Sequence, residues 1–145
     1  MVIFTEVLRP PIWVLAFIYF MFLSLVIAIW AALDTTATIV AFTIATLAIP
    51  FIARSLTSRI HLDQNQLRID RAHIELKYLG NVTVLDSDAM RMLRTRDADP
   101  AAFLAIKFWA SKGIKIEVND PRDSTPYWLV TSKRGEEIAA LLTKH

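Results

Sequence analysis

The sequence predicts an α+β protein, in which a transmembrane two-helix hairpin precedes a small antiparallel β-barrel or sandwich of about seven strands with a capping C-terminal helix. Two uncharged apolar stretches, Ile12–Leu33 and Ala37–Ala53, lie almost back to back near the N-terminus. Short segments of alternating apolar and polar residues follow, and a helical apolar stripe ends the chain. These patterns divide the chain into a membrane hairpin, residues 1–58, and a β domain, residues 59–145.

The stretch Ile12–Leu33 is the stronger membrane span. A helix of about 20 apolar residues crosses the hydrocarbon core of a bilayer, and this stretch reaches that length without a charged residue. Trp13 and Trp30 lie near its two ends, and indole rings favour the membrane–water interface. Both residues are therefore candidate headgroup anchors; the alternative is that they are ordinary lipid-facing side chains.

The second stretch, Ala37–Ala53, is shorter and contains Pro50. Proline removes one backbone hydrogen bond, so we expect a kink or an early helix end there. Ala37, Ala41 and Ala45 repeat every four residues and form a small-residue face, which allows close approach of membrane helices. This face either packs within the hairpin or dimerises the protein.

Charged flanks predict the orientation of the hairpin. Arg9 precedes the first stretch, Arg54 and Arg59 follow the second, and the turn between the stretches carries only Asp34. Because positively charged flanks remain in the cytoplasm, we expect both termini on the cytoplasmic side of the plasma membrane. Arg54 and Arg59 are also candidates for headgroup contact. A cleaved signal peptide is disfavoured, since its apolar core spans only about 7–15 residues.

Alternating residues predict the strands of the β domain. The cleanest pattern is Ile114, Ile116 and Val118, which alternate with polar residues. The predicted strands are Arg59–Leu62, Leu67–Asp70, His73–Lys77, Asn81–Leu85, Ala105–Trp109, Gly113–Asn119 and Tyr127–Thr131.

Helical patterns interrupt and end this series of strands. Ser87–Arg94 is a predicted helix with Ser87 as its cap, and a short helical turn is expected over Ala101–Leu104. Ser132 is predicted to cap a last helix that ends near Thr143. An order of four strands, three strands and one helix resembles a pleckstrin-homology-like barrel, which supports the predicted fold by analogy.

Composition bounds the possible functions. The chain has no cysteine, which excludes disulfides, thiol catalysis and cysteine-ligated zinc. Its net charge is only +2, with mixed signs, so we expect no nucleic-acid partner. The three glycines form no phosphate-binding loop, and His61, His73 and His145 have no metal-ligand spacing. We therefore predict no enzyme activity, no cofactor, no metal and no small-molecule substrate.

The segment from Asp120 to Trp128 is the best candidate for binding a partner. Asp120 and Asp123 have the oxygen ligands that hard cations prefer, but side-chain capping of a rigid turn explains them better. Tyr127 and Trp128 follow on a strand and point to opposite faces, so we expect one in the core and the other on a partner surface.

A second candidate is the aromatic and basic segment around Phe108 and Trp109. Trp109 and Lys112 are candidates for contact with lipid headgroups, since aromatic and basic residues are favoured at the membrane surface. Phe108 and Lys115 belong to the same segment. The alternative is a buried Phe108 beside a solvated turn.

Three segments carry a resemblance to a known family. The run Asp120–Ser132, with its Thr-Pro-Tyr-Trp-Leu-Val core, is the most specific, and Asp99–Leu104 and Val82–Asp86 accompany it. The chain resembles a family of small actinobacterial membrane proteins of unknown function. The resemblance implies a two-helix anchor and brings no activity, cofactor or catalytic residue.

Together these observations predict a non-enzymatic, membrane-anchored module. We expect it to act as a scaffold, assembly factor or regulatory subunit of an inner-membrane complex, with a membrane protein or a second copy as partner. The alternative is a module that binds membrane lipid at the cytoplasmic leaflet. In both cases the lipid bilayer is a partner.

Overall fold

The computed structural model describes residues 2–143 as two compact units. One unit, here called the helical hairpin, is Arg9–Thr57; the other, here called the β unit, is formed by residues 2–8 and 58–143. In chain order the elements are β1 (Val2–Leu8), α1 (Ile12–Ala32), α2 (Thr35–Leu56), β2 (Ser58–Asp63), β3 (Gln66–Ile69), β4 (Ala72–Glu75), a 3-10 turn (Leu76–Tyr78), β5 (Leu79–Leu85), α3 (Ser87–Thr95), β6 (Phe103–Ala105), β7 (Gly113–Val118), β8 (Tyr127–Thr131) and α4 (Gly135–Leu142).

The helical hairpin contains two helices that are long and apolar enough to span a membrane, which confirms that part of the prediction. Asp34 ends the turn between them and caps α2, because its Oδ1 accepts a 2.8 Å hydrogen bond from the Ala37 N–H. Helix α2 continues through Pro50 to Leu56, so the expected early end does not occur. A proline removes only one backbone hydrogen bond, which leaves the remaining turns intact.

Small and apolar residues form the contact between the two helices. Ala45 of α2 and Val26 of α1 are both buried. The Tyr19 hydroxyl and the Thr46 hydroxyl lie 3.2 Å apart and form a hydrogen bond between the helices. Of the two roles considered for the alanine face, packing within the hairpin agrees with the burial of Ala45.

The β unit consists of two four-stranded sheets, β1-β2-β3-β4 and β5-β7-β8-β6. Neighbouring strands are antiparallel except for β6 and β8, which are parallel. The unit is therefore α+β as predicted, but its described strands form no closed barrel and number eight rather than seven. One apolar cluster joins both sheets and α4; it includes Ile60, Leu62, Leu67, Ile69, Ile114, Ile116, Trp128, Val130 and Ile138.

Strand β1 is the unexpected element of this fold. Although the sequence predicts that these residues belong to the hairpin domain, β1 pairs antiparallel with β2, from Leu8 opposite Ser58 to Phe4 opposite Leu62. Phe4, Glu6 and Leu8 are all buried on one face of the strand. The helical hairpin is therefore inserted between two neighbouring strands of one sheet.

Two helix starts differ from their predicted positions. Helix α3 is capped by Asp86, whose Oδ1 accepts from the Ala89 N–H at 2.8 Å, rather than by Ser87. Helix α4 begins at Gly135 and receives no side-chain cap. Ser132 does not cap the first turn of α4: its hydroxyl accepts from the N–H of Arg134, the residue before the helix, at 3.1 Å and donates to the carboxylate of Glu6.

The segment before β7 also differs from its prediction. Phe103–Ala105 forms β6 instead of ending a helical turn, and the predicted strand Ala105–Trp109 is a loop beyond Ala105. The Phe103 ring packs against Trp128, with the ring centroids 4.7 Å apart. This contact and the parallel pairing with β8 override the local helical preference.

Glycine at position 113 is required by the packing of β7 against β8. A Cβ there would collide with the Val130 carbonyl oxygen and lie 2.8 Å from the Met90 Cε. We expect Gly113→Ala to lower the free energy of unfolding by about 1–3 kcal/mol, as measured by denaturant titration in detergent. Gly80→Ala is the matched comparison with a smaller expected loss, because its Cβ would meet the Asn119 Nδ2 at 2.7 Å and the Glu117 Cβ at 3.0 Å, both side-chain atoms, and no backbone atom. Equal destabilisation by the two substitutions would contradict this account.

Candidate functional site

The loop of residues 119–126, between β7 and β8, is held in one shape by its own side chains. The Asp120 Oδ1 accepts hydrogen bonds from the Arg122 backbone N–H at 2.9 Å and from its Nε at 3.3 Å. The Asp123 Oδ1 accepts from the Thr125 N–H at 2.9 Å. Both aspartates thus act in turn capping, the alternative that the sequence analysis favoured over a cation site.

Arg122 fastens this loop to the 3-10 turn after β4. Its Nη2 donates to the Tyr78 hydroxyl at 2.9 Å, and its guanidinium lies 5.4 Å from the centre of the Tyr78 ring. The Asn119 N–H donates to the Tyr78 carbonyl oxygen at 2.7 Å. The Arg122 side chain nevertheless remains 74% exposed, so the loop displays a charged group in a fixed position.

Electrostatics within the 119–126 loop follow from these contacts. The hydrogen bond from the Arg122 backbone, then that from its side chain, lowers the pKa of Asp120 below its usual value. The same pair raises the pKa of Arg122. Both groups therefore carry full charge near neutral pH, and the loop presents an ion pair next to the exposed Asp123.

Tyr127 and Trp128, which the sequence analysis placed with this loop, are both buried. Strand β8 is central in its sheet, and its two faces contact two different apolar clusters, Tyr127 in one and Trp128 in the other. The Tyr127 hydroxyl accepts a 3.1 Å hydrogen bond from the Asp99 N–H. The expectation that one of these two side chains faces a partner therefore does not hold in this structure.

Residues 106–112, here called the aromatic loop, connect β6 and β7. Phe108 is 61% exposed, which contradicts the alternative of a buried phenylalanine. Its ring meets Trp109 edge-on at 4.9 Å, and the Lys107 ammonium lies 6.0 Å from the Trp109 ring. Lys112 is exposed at the end of the loop. The Trp109 ring is partly buried, and its Nε1 has no hydrogen-bond partner among the described residues.

Glu6 is the important polar residue that the sequence analysis missed. It is buried, and its carboxylate accepts from the Ser132 hydroxyl at 2.5 Å and from the Lys133 N–H at 2.9 Å. The next residue, Arg134, contacts the same strand, because its guanidinium lies 4.5 Å from the centre of the Phe4 ring. The sequence offered one signal for this site, a charged residue at every-other-residue spacing between the apolar Phe4 and Leu8. A simple alternating pattern predicts an apolar residue at that position, so this signal does not predict a strand.

The remaining predicted residues lie apart from these loops. Trp13 and Trp30 are 60% and 65% exposed on α1, as a lipid-facing residue would be. Arg54 lies in the last turn of α2 and Arg59 lies on β2, both exposed.

Two of the three histidines lie in the described part of the chain. The His61 Nδ1 forms a 3.2 Å hydrogen bond with the Thr5 hydroxyl across β1 and β2, and His73 is exposed on β4. His145 lies outside the described residues. Among residues 2–143, no group of three or more His, Asp or Glu side chains could hold a metal ion.

The structure defines a two-part α+β protein, with a hairpin of helices long and apolar enough to cross a membrane and a β unit completed by a strand that precedes it. The chain belongs to the family described as protein of unknown function (DUF3093), whose model matches residues 3–142. This match confirms the predicted resemblance to a family of unknown function. No curated protein and no solved structure matches the chain.

The buried Glu6 carboxylate is expected to stabilise the β unit. Glu6→Gln removes the charge and one acceptor while it keeps the size of the side chain, so we expect the free energy of unfolding to fall by about 1.5–3 kcal/mol. Glu117→Gln, at an exposed position on β7, should change it by less than about 0.5 kcal/mol. Denaturant titration of the purified protein in detergent measures both. A Glu6 variant as stable as the control would show that the carboxylate is dispensable.

Proposed function

We propose that this protein is a non-enzymatic, membrane-anchored module that serves as a scaffold, assembly factor or regulatory subunit of a membrane protein complex. In this proposal the helical hairpin is the anchor and the β unit binds the partner. Three features of the structure support it: the insertion of the hairpin into a sheet, the preformed 119–126 loop, and the structural use of buried or paired acidic groups.

The pairing of β1 with β2 is the observation that carries the proposal. Leu8 and Ser58, the residues where the chain leaves and re-enters the β unit, are directly opposite each other. Two spans between them return the chain to the side from which it started, since each helix crosses the bilayer once. A single span would leave β1 and β2 on opposite sides and could not form this sheet.

Charge distribution supports the cytoplasmic side of the plasma membrane as the location of the β unit, and the sequence resemblance alone points to an actinobacterial cell. Arg9, Arg54 and Arg59 flank the two outer ends of the hairpin, and Asp34 lies in its turn. Positive residues stay on the cytoplasmic side during insertion. We assign the β unit to the pleckstrin-homology-like class because two sheets are followed by a C-terminal helix, although the second sheet has four strands where the predicted order has three.

The 119–126 loop is the proposed docking surface for a protein partner. Its shape is fixed before binding by the contacts of Asp120, Asp123 and Arg122, so little conformational entropy is lost when a partner binds. Pro121 and Ser124 are exposed beside the charged groups. A rigid, charged and exposed loop favours recognition of a protein with complementary charges.

Acidic groups and a histidine that could act in catalysis have structural roles instead. Glu6 holds the segment before α4, Asp120 caps its own loop, and His61 bonds Thr5 across two strands. A general acid or base must reach a substrate proton, and these contacts already occupy the groups. The proposal therefore assigns the protein to binding rather than to chemistry.

Ser124→Arg tests the docking surface without breaking a contact within the loop. Ser124 is exposed, so the added side chain projects from the surface and blocks a partner there. After mild detergent extraction from the native host, we expect the amount of partner recovered with the tagged protein to fall at least about fivefold. This is the loss of affinity expected when an interface residue that contributes more than about 1 kcal/mol to the binding free energy is disrupted.

Asn65→Arg is the matched control, because Asn65 is an exposed residue of the turn between β2 and β3. It should leave the recovery unchanged. Unchanged recovery for Ser124→Arg, with a partner retained by both variants, would contradict docking through the 119–126 loop. A wild-type protein that retains no partner would contradict the proposed function itself.

A further inference from the structure

The aromatic loop presents a large apolar ring to water between basic residues. Phe108 is 61% exposed, and Lys107 and Lys112 lie in the same loop. Burial of a phenylalanine side chain is favourable by about 1.5–3 kcal/mol, and this stabilisation is largely forgone in the isolated chain. Leu104, on the preceding edge strand β6, is also 49% exposed. It adds a second exposed apolar side chain four positions before Phe108.

Hydrogen bonds attach both ends of the aromatic loop to the end of β8. The Lys107 N–H donates to the Thr131 hydroxyl at 2.9 Å. The Ser132 N–H donates to the Lys112 carbonyl oxygen at 3.2 Å. These hydrogen bonds to Thr131 and Ser132 therefore fix the two ends of the loop.

Ser132 and the residue after it also contact β1, the strand that leads to the helical hairpin. Ser132 and Lys133 both donate to Glu6, which precedes the last residue of β1, Leu8, by two positions. Arg134, which follows Lys133, donates to the Thr5 carbonyl oxygen. The chain from Ser132 to Arg134 therefore runs along β1 in the direction away from Leu8. The aromatic loop, which abuts Ser132, therefore belongs to the end of the β unit that is covalently joined to the hairpin.

We propose that the aromatic loop contacts an anionic bilayer surface, with the Phe108 ring among the lipid headgroups and with Lys107 and Lys112 near lipid phosphate. Lipid contact goes beyond the proposed protein docking, because it uses a different loop and a different ligand. It fixes the β unit against the membrane at a second point besides its covalent connections.

Charge and tethering favour a bilayer over a protein as the occupant of this surface. Lysines near an anionic leaflet are attracted to it, and aromatic rings are favoured at the membrane–water interface. This preference rests on the proposed membrane anchoring, in which the covalent hairpin keeps the loop at a high effective concentration of lipid. A weak contact through one ring and two lysines is therefore sufficient for lipid, whereas a soluble protein partner would need a larger interface.

A single labelled cysteine tests the contact in the full chain, which has no cysteine of its own. Ser111→Cys places the label in the aromatic loop, and Gln64→Cys places it in the turn at the far end of β2 from Ser58. Each protein is reconstituted into vesicles of phosphatidylcholine with phosphatidylglycerol, and a fluorophore on the cysteine is quenched by headgroup-labelled nitroxide lipid. We expect strong quenching at position 111 and weak quenching at position 64.

Two further substitutions in the Ser111→Cys chain separate the contributions. Phe108→Ser should reduce quenching to the level of the control position. Lys112→Gln should lower the ratio of lipid-contacting to free loop roughly fivefold in anionic vesicles, and should have little effect in vesicles of phosphatidylcholine alone. Phe108 and Lys112 are exposed, so both variants keep the fold, which an unchanged unfolding midpoint verifies.

Equal quenching at positions 111 and 64, or quenching that is unchanged by Phe108→Ser, would overturn the proposal and leave the loop free for a protein. This result would be distinct from failure of the proposed function, because recovery of a partner through the 119–126 loop does not depend on Phe108.

Discussion

The pairing of β1 with β2 is the constraint on which the rest of the molecule depends. These strands are neighbours in the sheet but are separated in the chain by Arg9–Thr57, the whole helical hairpin. Their register brings Thr5 opposite His61 and Leu8 opposite Ser58. The β unit can therefore be complete only when the chain that follows the hairpin returns to Ser58, directly opposite Leu8.

Glu6 extends this constraint from the first sheet to the C-terminal helix. The carboxylate is buried and receives hydrogen bonds from Ser132 and Lys133, immediately before α4 begins at Gly135. Breaking one partner would leave the other buried without its hydrogen bond, which is costly. Strand β1 thus contacts the segment that leads into α4 and, through Ser132, is linked to the aromatic loop.

Elements with strong periodicity could be predicted from the sequence. The two apolar stretches became α1 and α2, and the alternation of Ile114 and Ile116 became the buried face of β7. The turn capping by Asp120 and Asp123 was also anticipated, since aspartate side chains favour this local geometry. These features depend on residues close together in the chain.

Features set by distant contacts could not be predicted in this way. Strand β1 breaks its apolar pattern with Glu6, whose partners lie more than 120 positions away. The β6 strand exists because Phe103 packs on Trp128 and pairs with β8. Trp128 is buried because β8 is central in its sheet, and centrality depends on the strand order rather than on the strand's own residues.

A cross-strand disulfide tests the central pairing most directly. In the otherwise cysteine-free chain, Thr5→Cys with His61→Cys places two thiols on directly paired positions. Thr5→Cys with Arg68→Cys is the control, since Arg68 is opposite His61 on β3 and lies two strand spacings, about 10 Å, from position 5. Mild oxidation in native membranes should form a disulfide within one chain for the first pair only. Absence of that bond, or formation only between different chains, would contradict the account.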